Sequence, residues 1–196
     1  DRYATDSLRF TPGSDVAMLN AMINVIIAEK LYDSSYVVTH TEGFEELKAR
    51  TAHTTPEAMA PICGIDADRL REVARGYATA GSAMIFWGMG ISQHTHGTDN
   101  SRCLISLALL TGNVGRAGTG LHPLRGQNNV QGASDAGLIP MFFPDYKPVT
   151  DAETRTKYEE FWGSQLDPDR GLTVVEITEA AYDGDIKAMY IMGENP

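Results

Sequence analysis

The sequence predicts an α/β fold with parallel sheets, built as dinucleotide-binding-like lobes with helices on both faces. Ala83–Trp87 is a continuous apolar run, short enough for a buried parallel strand. A Gly-Met-Gly segment, a polar loop and an apolar helix to Leu110 follow it, an order typical of ligand binding at the carboxyl end of a strand. A second apolar run, Ala188–Met192, also ends in glycine and predicts another such strand.

The segment before the first of these strands is predicted to be mainly helical. Leu8–Phe10 suggests a short strand, after which Pro12-Gly13 turns the chain into a helix capped by Ser14 or Asp15. Apolar residues then recur at helical spacing and predict one buried face: Leu19, Met22, Ile23, Ile26 and Ile27. Further helices are predicted from Ser34, through Glu42–Arg50, from Thr55-Pro56-Glu57, and over Asp66–Tyr77, Ala152–Trp162 and Thr173–Tyr182.

Both ends of the sequence are expected to be truncated. It begins without methionine and stops where the last predicted strand would open into a loop. We therefore expect residues 1–125 to form the C-terminal part of one α/β lobe and residues 126–196 to form part of a second.

Composition excludes several classes of protein. The net charge of −10 at pH 7 argues against a nucleic-acid surface, which needs clustered Lys and Arg. No apolar run is long enough to span a bilayer and no secretory signal is present, so we expect a cytoplasmic protein, with the periplasm as the alternative. Cys63 and Cys103 lie far apart and outside any CxxC pair, which predicts buried thiols and no zinc or iron–sulfur site from this chain alone.

The run Leu121–Asp135 is predicted to bind a polar ligand. It sets a single arginine, Arg125, among glycines and the side-chain amides of Gln127, Asn128 and Asn129. Donors and acceptors of this density need partners in a ligand or in neighbouring backbone. An ordinary Gly/Asn turn region is the alternative. A second glycine-rich connection, Thr111–Gly120, enters this run and suggests that the ligand is large.

The histidines and paired carboxylates carry weaker signals. His94 and His96 are spaced like metal ligands, but no carboxylate or cysteine partner lies nearby, so we predict ordinary loop histidines and no metal ligand in this chain. Glu45-Glu46 and Glu159-Glu160 fall on predicted amphipathic helices, which favours solvated faces over acid/base catalysis.

The sequence also resembles a known family, the catalytic alpha subunits of molybdenum- or tungsten-dependent formate dehydrogenase. These are molybdopterin oxidoreductases of the dimethyl-sulfoxide-reductase type. The resemblance is carried by Phe86-Trp87-Gly88-Met89-Gly90, Thr111-Gly112-Asn113-Val114-Gly115, the segment from Leu124-Arg125-Gly126-Gln127 to Asp135, and Met192-Gly193-Glu194-Asn195-Pro196.

The resemblance implies a metal, Mo or W, held by two molybdopterin guanine dinucleotides, and a [4Fe-4S] cluster. The metal ligand and the cluster cysteines belong to a region upstream of this chain, so the chain alone is expected to be inactive. Implied partners are formate and electron-transfer subunits or domains with iron–sulfur clusters, with flavin or NAD as further carriers.

Residue by residue, the resemblance implies Arg125 as the substrate arginine. It implies six cofactor contacts: Met89, Gln93, Gln127, Gly193, Glu194 and Asn195. The alternatives are another molybdopterin oxidoreductase, such as a nitrate reductase, and a non-catalytic nucleotide-binding module in which Arg125 clamps a phosphate.

Overall fold

The computed structural model describes residues 3–193. The chain divides into two compact units, the first ending at Gly126 and the second beginning at Gln127. Their assignment to two dinucleotide-binding-like lobes stays a prediction. Among the described residues, no helix is both long and apolar enough to cross a membrane.

The first unit is organised around one central helix, α1 (Asp15–Ala28). Its apolar residues cover most of its circumference, and Ile23 and Ile26 are fully buried. Four further helices follow: α2 (Ser34–His40), α3 (Phe44–Thr51), α4 (Pro56–Cys63) and α5 (Ala67–Thr79). The helical predictions are thus confirmed, with ends displaced by a few residues.

Side-chain caps explain where three of these helices begin. Asp33 accepts from Tyr36 N at 2.9 Å, Thr55 accepts from Ala58 N at 3.3 Å, and Asp66 accepts from Asp68 N at 2.9 Å. The predicted cap Ser14 behaves differently, because its hydroxyl donates backwards to the Thr11 carbonyl at 2.6 Å.

A two-stranded parallel sheet completes the first unit. Strand β1 (Met84–Trp87) confirms the predicted parallel strand but not its burial. It leads into a single helical turn, α6 (Met89–Ser92), and then into α7 (Gly97–Leu110). The chain returns as β2 (Gly120–Pro123), paired in parallel with Met84 opposite Gly120 and Trp87 opposite Pro123. The apolar core packs against Ile85, Trp87 and Leu121, while the opposite face is exposed at Met84 and Phe86.

The second unit is smaller and has little buried interior. It contains α8 (Val130–Asp135), the antiparallel strands β3 (Phe142–Phe143) and β4 (Lys147–Pro148), α9 (Ala152–Trp162) and α10 (Val174–Tyr182). Phe143, Tyr158 and Trp162 form an aromatic cluster with ring centroids 4.7 to 6.0 Å apart. Because β3 and β4 pair in antiparallel, Phe142 opposite Pro148 and Phe143 opposite Lys147, they form a hairpin.

Two predicted strands are wrong. Leu8–Phe10 and Ala188–Met192 both have irregular backbone. Neither finds a neighbouring strand among the described residues, and a lone strand leaves its backbone groups unpaired. Leu8 and Phe10 pack against the core instead, and Ala188–Met192 lines an apolar groove with Val174 and Ile177 of α10.

Candidate functional site

The carboxyl ends of β1 and β2 lie side by side. The parallel register continues one step beyond the strands, because Leu124 N donates to the Trp87 carbonyl at 2.6 Å. A Cβ added to Gly88 would lie 3.5 Å from the Leu124 carbonyl oxygen, which is ordinary van der Waals distance. The segments that follow the two strands therefore start together at one edge of the sheet, where α/β proteins bind ligands.

The turn α6 presents Met89 and Gln93 at this edge. Gly88 precedes the turn, and its carbonyl accepts from Ser92 N at 3.2 Å and from Ser92 Oγ at 3.2 Å. Gln93 N closes the turn by donating to the Met89 carbonyl at 2.8 Å. Met89 is 59% exposed and Gln93 is exposed, so a thioether and a neutral amide are available to a ligand.

Two residues of α7 hold α6 in place, and the sequence analysis missed both. Asn100, only 2% exposed, donates from Nδ2 to the Ile91 carbonyl at 2.8 Å. Gly97 lies so close to the Ser92 carbonyl that a Cβ there would overlap it. Asn100 lies among Thr98, Asp99, Ser101 and Arg102 in the sequence, so nothing in the local pattern marked it as a buried amide.

Arg125 lies two residues beyond the end of β2 and is exposed. Other arginines in this chain pair with carboxylates, as Arg71 does with Glu57 and Asp68, and Arg75 with Glu29. Among the described residues, Arg125 makes no such ion pair. Its guanidinium thus keeps its donors for a ligand, and a planar fork of donors is suited to a carboxylate or phosphate.

The glycine-rich connection Thr111–Gly120 is not at this edge. It runs from the end of α7 to the start of β2, so it lies at the amino ends of the strands. Its polar groups are satisfied internally: Asn113 Oδ1 accepts from Ala83 N and from Arg116 Nη2 at 3.0 Å each, and Arg116 donates to the Gly81 carbonyl at 2.9 Å. The polar groups of this loop therefore do not support the expectation of a large ligand, which stays a prediction.

The predicted ligand run Leu121–Asp135 is shorter than expected. Leu121–Pro123 belongs to β2, and Val130–Asp135 forms α8. Asn129 caps α8 by accepting from Gly132 N at 3.2 Å, and Gln131 donates to Asp135 at 3.0 Å. The exposed residues that remain in the loop are Leu124, Arg125, Gly126, Gln127 and Asn128.

The candidate residues fall in both units. Met89, Gln93 and Arg125 belong to the first unit, whereas Gln127 and Gly193 belong to the second. Gly193 is exposed and has a φ of 73°, a conformation that favours glycine. Because Ala188–Met192 is irregular, Gly193 does not follow a strand as expected. Glu194 and Asn195 lie outside the described residues.

The cysteines and histidines form no metal centre in residues 3–193, where no group of three His, Cys, Asp or Glu side chains could hold an ion. Cys63 and Cys103 are buried in the core, as predicted. Burial raises the pKa of both thiols, that of Cys103 to about 11, so both stay protonated at neutral pH. His94 and His96 are exposed.

A cavity of about 300 Å³ lies elsewhere, between α2, α3 and α7. Val37, Phe44 and Leu109 line it, with an exposed Glu46–Arg50 ion pair at 2.7 Å beside them. It includes none of the candidate residues.

The sequence model described as "Molybdopterin oxidoreductase" matches residues 1–196. The chain is 48% identical over 189 residues to F420-dependent formate dehydrogenase subunit alpha of Methanocaldococcus jannaschii, covering 96% of this chain and 28% of that protein. It is 45% identical over 196 residues to formate dehydrogenase H of Escherichia coli, covering 100% of this chain and 27% of that protein. The chain thus spans little more than a quarter of these relatives.

A solved structure, acetylene hydratase from Pelobacter acetylenicus, is similar to this chain with a TM-score of 0.58 and 32% identity. The match covers 60% of this chain and 16% of that one. A hydratase and formate dehydrogenases are thus both similar to it, so the fold does not choose the substrate. That choice depends on individual side chains.

Proposed function

The chain belongs to the molybdopterin oxidoreductases, and from that premise we propose that it is part of a formate dehydrogenase catalytic subunit, which oxidises formate to carbon dioxide. Identities of 48% and 45% to proteins named formate dehydrogenase, along nearly the whole chain, support this proposal. The observation that carries it is Arg125, an exposed guanidinium with no carboxylate partner among the described residues, next to the carboxyl edge of the parallel sheet.

The family implies a molybdopterin cofactor with molybdenum or tungsten, and we propose the bis-molybdopterin guanine dinucleotide form. The donors in this chain suit such a group. Gln93 and Gln127 present exposed neutral amides that fit the polar edges of pterin and guanine rings, and Met89 adds an exposed thioether for apolar contact. Gly193 has no Cβ, so its backbone leaves room for a close approach. Glu194 and Asn195 complete the proposed contacts.

We place a [4Fe-4S] cluster and the metal-ligating residue in a segment that precedes this one in the longer relatives. Electrons would leave through partner subunits or domains with iron–sulfur clusters. Flavin or NAD would be a further electron carrier in some of these partners.

Arg125 is the proposed substrate arginine. Formate is a small carboxylate, and a guanidinium donates one N–H to each of its oxygens in a planar, two-pronged arrangement. That grip orients the C–H bond and offsets the negative charge of the substrate. A bound metal centre would supply the acceptor for the two electrons released when formate yields carbon dioxide and a proton. Lysine keeps the charge but cannot reproduce the two parallel bonds.

The test is made in the full-length enzyme with Arg125→Lys and Arg125→Ala. We expect both to lower kcat/KM for formate, the alanine variant by roughly tens- to thousands-fold, while metal and pterin contents stay near wild type. Arg102→Ala is the matched control, because it removes an equal charge from an exposed pair with Asp99 on α7.

Three results would contradict the proposal. Unchanged formate kinetics in the alanine variant would remove Arg125 from the mechanism. Loss of metal from that variant would make Arg125 a cofactor anchor. Wild-type enzyme that reduces nitrate and leaves formate untouched would indicate the nitrate reductase alternative.

A further inference from the structure

The buried amide of Asn100 has a specific partner at the candidate site. It lies in the first turn of α7, 2% exposed, and its Nδ2 donates to the Ile91 carbonyl at 2.8 Å. Burying an amide is unfavourable unless it is hydrogen-bonded. A buried asparagine here therefore depends on the bond to Ile91.

Ile91 belongs to α6, which is too short to hold its own shape. An isolated turn of four residues does not persist in water, because fixing its backbone costs more conformational entropy than its few hydrogen bonds offset. Carbonyls in a last helical turn have no partner within the helix. Asn100 supplies that partner for Ile91, and Gly97 allows α7 to approach closely enough to do so.

We propose that Asn100 is a positioning residue for the cofactor: by holding the Ile91 carbonyl, it fixes α6 in the arrangement in which Met89 and Gln93 contact the pterin nucleotide. This inference rests on the proposed function and adds to it a residue that itself touches neither substrate nor cofactor.

The test replaces the amide donor with a group that donates only when protonated. In the full-length enzyme, Asn100→Asp places a carboxyl opposite the Ile91 carbonyl, and burial raises the pKa of a carboxyl. At about pH 8 the ionised group cannot donate, so amide hydrogen exchange of residues 91–93 should become about tenfold faster and bound pterin nucleotide should fall. At about pH 5 the protonated group donates, and both readouts should return toward wild type.

Two further variants keep the test decisive. Asn100→Leu fills the same space without a donor, so it should show the faster exchange and lower nucleotide content at both pH values. Asn24→Asp is the matched control, because Asn24 also donates from Nδ2 to a carbonyl, that of Thr51, at 2.9 Å, but far from α6 in the chain. Wild type at both pH values controls for every other effect of pH on exchange and nucleotide content; the charged and ionisable residues nearest to Asn100 in the sequence are His94, His96, Asp99 and Arg102.

Unchanged exchange at residues 91–93 in Asn100→Leu would overturn the inference. So would faster exchange with full nucleotide content, since α6 would then not hold the cofactor. If the wild-type enzyme contains no pterin nucleotide, the proposed function is wrong, and the exchange data still decide whether Asn100 holds α6.

Discussion

Glycine-rich polar loops lie at both ends of the parallel sheet, but their polar side chains differ in whether they find partners within the chain. At the amino end, the glycine-rich connection Thr111–Gly120 satisfies its polar side chains within the chain, through Asn113 and Arg116. At the carboxyl end, Met89, Gln93 and Arg125 are exposed, and Arg125 has no carboxylate partner among the described residues. Glycine content alone therefore does not identify a ligand loop; the satisfaction of its polar groups does.

The largest effect on stability is expected at the amino end. Asn113 is 1% exposed, and Asn113→Ala removes its hydrogen bonds with Ala83 N, Thr111 Oγ1 and Arg116 Nη2, which leaves Ala83 N without its acceptor. We expect a loss of about 2–4 kcal/mol in the free energy of unfolding. Native-state hydrogen exchange of α1 amides in the full-length enzyme measures it. A loss below about 0.5 kcal/mol would mean that this loop is not held by Asn113.

A smaller effect is expected where α6 meets α7. Gly97→Ala places a Cβ against the Ser92 carbonyl, so one backbone must move, at a cost of about 1–3 kcal/mol. Gly90→Ala is its control, since a Cβ at Gly90 meets nothing within 4 Å and alanine favours the helical turn. Thermal unfolding of the two variants compares them. Equal midpoints would show that α6 does not depend on this close approach.

The smallest effect on stability is expected for the two arginines. Replacing one arginine at each end of the sheet compares the two ends directly. Arg116→Ala removes hydrogen bonds to Gly112, Gly81 and Asn113 and should cost about 1–2 kcal/mol. Arg125→Ala should change stability by less than about 0.5 kcal/mol. Urea unfolding of each variant, followed by hydrogen exchange in the first unit, compares the two. An Arg125 variant as unstable as the Arg116 variant would mean that Arg125 has a structural role.

Local sequence patterns predicted most helices correctly. Ala152–Trp162 has the predicted bounds, because Asp151 caps its start and Gly163 ends it with a φ of 65°. Strand β1 was also predicted, since its apolar run is continuous. Strand β2 was missed, because Gly120 and Pro123 are typical of loops and its four residues form a strand only by pairing with β1.

The candidate site was predictable in part. Arg125 stood out as the single arginine of a polar run, and Met89 lies just after a predicted strand; the structure brings the segments that carry them to one edge. Asn100 and Gly97 did not stand out, because their partners Ile91 and Ser92 are reached only when α7 folds back on α6. The substrate role of Arg125 stays a prediction, as do the cofactor contacts of Met89, Gln93, Gln127, Gly193, Glu194 and Asn195.

The sequence by itself determined the helices, their caps, the first strand and the residues whose pattern resembles the family. These depend on residues a few positions apart, so the residue types alone indicate the capping hydrogen bonds and the apolar periodicity. Tertiary structure decided which glycine loop is closed and which is open, and whether Ala188–Met192 could be a strand. Both depend on partners distant in the chain, since a polar group or strand edge is satisfied only by what folding brings beside it.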